Sequence, residues 1–300
     1  MINEMFNYTI IIPHKNTPKY LQRCLDSIPE RNDIQVIVVD DNSDNLDTIN
    51  FPGLYKKNTE VYFTNEGKGA GYARNIGLSY AKGKWLLFAD ADDYFNLDFL
   101  TFTDEYLDSD NEIIYFSASS IDIDTGKRSN RNKILVKSIN EYKEGCTKSK
   151  DNLLFKNWMP WSKMFKHDFI KKNNLKFEEV KVGNDALFVI NAGILADKIC
   201  VDINSIYCVT YNKKSLSFNF NQNLFDERFM SKIRINNYLT KLNKKKYKLL
   251  LGPDIVESYN YGIKKTLEVI KIAKKNNNKV FLTSIRSIIG KLLRSFKLIN

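Results

Sequence analysis

The sequence predicts an α/β protein, a mostly parallel sheet flanked by helices, followed by a helical C-terminal appendage. Three observations carry this. Short apolar, β-branched runs alternate with stretches of helical periodicity through the first hundred residues, as in strand–helix–strand units. Several of those runs end abruptly in acidic or polar residues, which places polar chemistry at the carboxyl ends of strands. Beyond residue 211 the composition turns lysine-rich and helical. The domains expected are therefore 1–211, a sheet-based unit, and 212–300, a basic helical region.

Tyr8 to Pro13 reads as a first buried strand, which the proline ends. Thr17-Pro18 is an N-cap with proline at the first helical position, and Leu21, Cys24, Leu25 and Ile28 follow at helical spacing. Ile34 to Val39 is the second strand and stops at Asp40-Asp41-Asn42-Ser43-Asp44. Val61 to Thr64 is the third. A glycine-rich segment, Gly67 to Gly71, leads into a helix over Tyr72 to Ala81. Trp85 to Ala89 is apolar throughout, the pattern of a strand covered on both faces.

Immediately after that fourth strand, Asp90, Ala91, Asp92 and Asp93 put three carboxylates into four positions. Their mutual repulsion is costly without a cation. A hard divalent ion, Mn²⁺ or Mg²⁺, takes one or two carboxylates together with substrate phosphates. An acidic solvated turn is the plainer alternative, as an Asx-type turn is for Asp40 to Asp44. The strand ends at His14-Lys15-Asn16, Asp40-Asp41 and Asp90 to Asp93 together outline one cleft. The glycines follow the third strand rather than the first and have the wrong spacing for a dinucleotide fingerprint. Lys68 and Arg74 flank them and could hold a diphosphate, or serve as helix-end charges.

Charge is unevenly spread. Residues 1–100 carry 10 basic and 14 acidic side chains, 101–200 carry 16 and 15, and 201–300 carry 20 and 6, for nets of −4, +1 and +14. The basic excess lies wholly in the last third and suits an acidic partner surface. No run of about 18 apolar residues spans a bilayer, and Met1 to Asn7 shows no secretory pattern, so a cytoplasmic protein is expected. Cys24, Cys146, Cys200 and Cys208 form no Cys-x-x-Cys, and with His14 and His167 they make no zinc set. Reduced, mostly buried thiols are expected.

Four motifs in order, strand-Pro13-x-x-Asn16, Val38 to Ser43, Gly69-x-x-x-Ala73-Arg74-Asn75-x-Gly77 and Phe88 to Asp93, resemble the family 2 glycosyltransferases of the GT-A fold. The likeness covers about residues 6–210. It implies a nucleotide-sugar site built from Pro13, Lys15, Asn16, Asp41, Lys68, Arg74, Asp90 and Ala91, with Asp41 meeting the base and Asp92 and Asp93 holding the metal. Lys15 stands where the family commonly has Tyr. Trp158 and Trp161 bracket Pro160 and could stack on sugar, or pack in the core. The Trp161-x-Lys163 segment is typical of the resemblance, and His167 is read as exposed. In Val182-Gly183-Asn184-Asp185, Asn184 replaces a usual Glu, and the resemblance makes Asp185 the base that deprotonates an acceptor hydroxyl. Either residue could instead cap the helix that begins there.

Asn96 caps a helix over Leu97 to Leu107, and Glu112 to Ser117 is a strand. Ile121 to Val136 reads as two β arms about Asp124-Thr125-Gly126, and Ile199 to Ile203 and Ser205 to Tyr211 as closing strands. Helices are expected over Phe225 to Leu242, Tyr247 to Ala273 and Lys279 to Leu298. The last is amphipathic and suited to an anionic membrane surface or to a second subunit. No nucleic-acid reader motif accompanies the charge. The expectation is a metal-dependent, inverting sugar transferase on the inner face of the cell membrane, with a nucleotide-sugar donor, UDP-linked, and a glycan or glycolipid acceptor in bacterial capsule or lipooligosaccharide synthesis. A sugar-phosphate nucleotidyltransferase is the alternative, though His14 to Tyr20 lacks the glycines that class needs. So is a non-catalytic membrane-peripheral nucleotide-binding protein.

Overall fold

The computed structural model describes residues 6–44, 47–211 and 221–278. The chain divides into two compact units, Met1–Lys213 and Lys214–Asn300. The first contains, in order, β1 (Tyr8–His14), α1 (Pro18–Asp26), β2 (Ile34–Asp41), β3 (Thr59–Thr64), α2 (Ala70–Tyr80), β4 (Trp85–Phe88), β5 (Tyr94–Phe95), α3 (Phe99–Asp104), β6 (Ile113–Asp122), α4 (Lys133–Lys143), α5 (Ser149–Lys156), β7 (Lys163–Lys166), α6 (His167–Lys172), α7 (Ala186–Leu195) and β8 (Ile199–Tyr211). The second contains α8 (Gln222–Lys241), α9 (Gly252–Ser258) and α10 (Ile263–Lys275), with short 3₁₀ turns between them.

One eight-stranded sheet runs β3-β2-β1-β4-β7-β6-β8-β5. The β3-β2-β1-β4 half is parallel, because each crossover carries a helix or long loop back to the same edge. Ile10, Ile11, Ile12 and Val36 to Val39 are buried, as expected of strands covered on both faces. The other half is mixed. β7 pairs antiparallel with β4 and β6, β5 pairs antiparallel with β8, and β6 and β8 are parallel. The parallel reading therefore holds for the half that carries the strand-end motifs.

Several elements differ from expectation for identifiable reasons. The second β arm before Val136 is reduced to a single bridge, Ile121 to Arg128. Leu135, Ser138 and Ile139 are buried at helical spacing instead, on α4. The two closing strands are one 13-residue strand, β8, with an irregularity in its register against β6 after Phe116 and Ser117. The helix after Asn96 shortens to α3. The stretch from Tyr247 to Ala273 is broken: Pro253 begins α9 near its N-terminus, and Gly262, at φ +96, separates α10 from it. Lys279 to Leu298 lies outside the described residues. His167 is half-buried rather than exposed, with Nδ1 2.9 Å from the Gly83 carbonyl. Cys24 and Cys208 are buried but Cys146 is exposed, and all four thiols are free.

Gly71 is required by close approach. A Cβ there would lie 2.0 Å from the Glu178 carbonyl oxygen and 2.8 Å from Asn184 Cβ. The start of α2 is thereby seated against the segment that leads to α7. Among the described residues no helix is long and apolar enough to cross a membrane.

Candidate active site

The site is assembled at the carboxyl ends of β1, β2 and β4. Register pairs His14 of β1 with Asp40 of β2, and on its other side β1 pairs with β4, Ile11 opposite Phe88, so these three strands finish side by side. His14 Nδ1 and Asp40 Oδ1 are 2.7 Å apart and buried. Thr17 N–H donates to His14 Nε2 at 3.1 Å, which leaves the imidazole proton on Nδ1, directed at Asp40. Asp40 also accepts from Ser43 N and Oγ. Burial opposes its ionisation, but the hydrogen bonds from His14 and Ser43 prevail and hold the carboxyl below its ordinary range. Asp40 is thus a turn-building residue, as the Asx alternative had it.

Its neighbour differs. Asp41 is 4% exposed; Oδ2 accepts from Gly69 N–H at 2.8 Å, while Oδ1 is buried without a partner among the described residues. Thr64 Oγ1, across the register pair of β2 and β3, is likewise without a partner among the described residues. Native structures leave few buried acceptors unmet, and one left open points to a ligand donor. Lys15 Nζ donates to the Asp41 carbonyl at 3.0 Å, so the residue in the usual Tyr position braces this turn. Asn16, left-handed at φ 56, exchanges hydrogen bonds with Asp44 and donates its N–H to Ser43, tying the β1 end to the β2 end. Pro13 lies within β1 opposite Val39.

Arg74 on α2 joins this region to the far part of the chain. Its Nη2 contacts Asp90 Oδ1 at 2.6 Å and its Nη1 donates to Asn184 Oδ1 at 2.8 Å; the side chain is 5% exposed. The guanidinium lies 5.3 Å from the Phe177 ring centre. Asn184 and Asp185 are thereby held beside the end of β4. Asp185 precedes α7, yet its side chain makes no capping bond, which removes the cap alternative. Burial pushes its carboxyl above the ordinary range, Arg74 works against that, and Asp90 adds to it. Such a group is poised to take a proton.

The acidic triplet separates into distinct roles. Asp90 N–H donates to Tyr207 Oη at 2.8 Å. Asp93 is 3% exposed and its Oδ1 accepts from Thr210 N and Oγ1 at 2.7 and 3.2 Å. The Asp92 carbonyl accepts from Arg23 and Thr210. Burial, then the charge of Asp90, raises the proton affinity of both Asp92 and Asp93. Arg74 pairs with Asp90, and Arg131 and Arg23 temper the rise at Asp92, so the side chain that could serve a divalent cation is Asp92, with Asp90 beside it. Among the described residues no three acidic, imidazole or thiol groups form a complete ligand set. A cation here would take its remaining ligands from substrate phosphates and water.

Other residues lie apart. Lys68 is half-exposed, pairs with Glu66 and sits 4.7 Å from the Tyr72 ring centre. Trp161 is 6% exposed and stacks on Tyr207 at 5.5 Å, so it backs the site through that tyrosine, as the core alternative had it. Trp158 is half-buried, with its indole N–H spent on the Phe155 carbonyl. Tyr207, Thr210 and Arg23 were not evident from sequence. The β5–β8 pairing, Tyr94 with Cys208, helps bring the closing strand against the acidic turn.

A sequence model of the family described as Glycosyl transferase family 2 matches residues 9–178. Poly(ribitol-phosphate) beta-N-acetylglucosaminyltransferase TarS of Staphylococcus aureus is 26% identical over 68% of this chain and 35% of its own length. Poly(ribitol-phosphate) beta-glucosyltransferase of Bacillus spizizenii is 29% identical over 66% of this chain and 31% of its own. The chain thus spans about a third of the length of these relatives. The crystal structure of S. aureus TarS 1-349 with UDP-GlcNAc superposes with TM-score 0.67 at 18% identity, over 90% of this chain and 80% of that one. The mannosyltransferase PcManGT of Pyrobaculum calidifontis, solved with GDP-Man and Mn2+, gives 0.56 at 13% identity, over 97% and 81%. At those identities the likeness is one of fold, the GT-A architecture.

Proposed function

Because this chain belongs to glycosyl transferase family 2, we propose that its first unit transfers a sugar from a UDP-sugar to a hydroxyl of a bacterial surface polymer, with inversion at the anomeric carbon. The observation that carries this is Asp41: a buried carboxylate oxygen with no protein donor among the described residues, at the strand end where a nucleotide base would lie. The imide N–H of uracil is the complementary group. The TarS relative solved with UDP-GlcNAc is consistent with that choice.

In the proposed reaction Asp185 accepts the proton of the acceptor hydroxyl as that oxygen attacks the anomeric carbon, and the nucleoside diphosphate departs from the opposite face. Arg74 holds Asn184 and Asp90 in register, which orients the base against the donor. Asp92, with Asp90 beside it, would hold a divalent ion. Bound there, that ion would neutralise charge developing on the leaving diphosphate. Two of the relatives are named for a poly(ribitol-phosphate) acceptor. An anionic polymer of that kind, or an anionic membrane face, suits the basic last third of the chain.

Titration calorimetry of UDP against wild type and Asp41→Asn tests the nucleotide site. An asparagine has one acceptor oxygen where two are needed, one for Gly69 N–H and one for the base. UDP should bind wild type and bind the variant about 10- to 100-fold more weakly. Equal affinities would remove Asp41 from the site.

A further inference from the structure

The second unit has a core of its own, to which α8 contributes Phe225, Phe229 and Ile233, α9 contributes Ile255, and α10 contributes Val269 and Ala273. Val269 and Ala273, one turn apart, fix which side of α10 points inward. Its outward side is not the uniformly polar face of a solvated helix. Ile263 is 67% and Leu267 62% exposed, one turn apart in a row that Lys274 continues. Lys264, Lys271 and Lys275, also exposed, form the adjoining row. The acids of the unit are spent elsewhere: Asp226 and Glu268 pair with Lys265, Asp254 with Lys232 and Glu257 with Arg228. Lys264, Lys271, Lys274 and Lys275 make no ion pair among the described residues. Isolated exposed aliphatics are ordinary. Two in one row, bordered by four unneutralised lysines, match a helix that lies in a membrane interface.

We propose that this face of α10 docks the second unit onto an anionic lipid bilayer, with Ile263 and Leu267 inserted at the acyl boundary and the four lysines against headgroup phosphates. Charge and apolarity together select that occupant. An anionic polymer in water would neutralise the lysines and leave Ile263 and Leu267 wet. A second copy, meeting the first through the same patch, would set these four lysines against four more. The chain from Lys279 to Asn300 has five basic residues and no acidic one, so it would add to the charge of this face rather than offset it. A bilayer containing phosphatidylglycerol offers negative charge and an apolar phase at once. Lysine stems are long enough to reach the phosphates while the helix body sits lower. The docking is independent of the chemistry proposed for the first unit.

The test is co-sedimentation of the full chain with vesicles of phosphatidylcholine alone and of phosphatidylcholine mixed equally with phosphatidylglycerol. Wild type should sediment with the mixed vesicles and stay in solution with the neutral ones, and added salt should weaken the binding. Ile263→Ser with Leu267→Ser should lower the partition coefficient about tenfold. Lys264→Gln with Lys271→Gln and Lys275→Gln should lower it about 100-fold. All five positions are exposed, so both variants should keep the wild-type melting temperature. A serine variant that binds as wild type does would mean that charge alone is read, as by a polyanion, and would overturn the proposal. Undiminished binding by both variants would overturn it too, by assigning the membrane contact to residues 279–300. So would a wild-type dimer, seen by analytical ultracentrifugation, that the serine variant loses.

Discussion

Replacing Asp185 by Asn is expected to lower transfer by about 10³-fold, within the range by which a positioned base contributes, while UDP affinity stays within about twofold of wild type. The carboxylate makes no capping bond, so its loss removes no helix contact. In wild type the rate should rise with pH through a limb lying above the ordinary aspartate value of 3.8, since burial raises this carboxyl and only the ionised form accepts a proton. The variant should lack that limb. Stability should change in the opposite sense. A folded-state carboxyl that holds its proton more tightly than the unfolded one costs stability as pH rises through that window. The Asn variant should therefore melt no lower than wild type at neutral pH, which a differential scan beside the kinetics reads out. Loss of turnover together with a large fall in melting temperature would mark Asp185 as structural instead.

Arg74→Met carries the second large effect. Arg74 is 5% exposed and bridges Asp90 to Asn184. Removing it leaves one carboxylate oxygen and one amide oxygen without their donor. Breaking a buried pair costs roughly 3–5 kcal/mol, and the lower end is expected here because Asp90 is 36% exposed. Thermal unfolding should report that loss. The site should suffer more than the fold, since the clasp is what places Asp185 beside the β4 end. Transfer should fall by at least about 10²-fold even well below the melting temperature. A variant that loses stability and keeps its rate would mean that Asn184 and Asp185 find their positions without Arg74.

The parallel half of the sheet was legible because its signals are local. Ile10 to Ile12 and Val36 to Val39 must be covered on both sides, and a run that stops at Asp40-Asp41 or Asp90 announces a strand end. The division of labour within those clusters was not legible. Asp40 and Asp41 are adjacent and chemically identical, and only His14, Ser43 and Gly69, brought in by the fold, make one a turn-builder and leave the other with an open oxygen. Asp93 is likewise tied to Thr210, which lies 117 positions away. Trp161 looked suited to sugar stacking, but its partner Tyr207 belongs to β8 and takes that face. In the second half, the turn at Asp124 to Gly126 was real, yet the expected second arm gave way to α4, whose Leu135 and Ile139 find a core that a strand would not reach.

Titrating UDP into the wild-type chain with Mn²⁺, and again with excess chelator, decides whether the cleft at the ends of β1, β2 and β4 binds a nucleoside diphosphate together with a divalent ion. One UDP should bind per chain with the ion, with affinity reduced at least about tenfold without it, as the diphosphate would then face Asp90 and Asp92 unscreened. Identical isotherms in the two conditions, or no binding in either, would contradict the account.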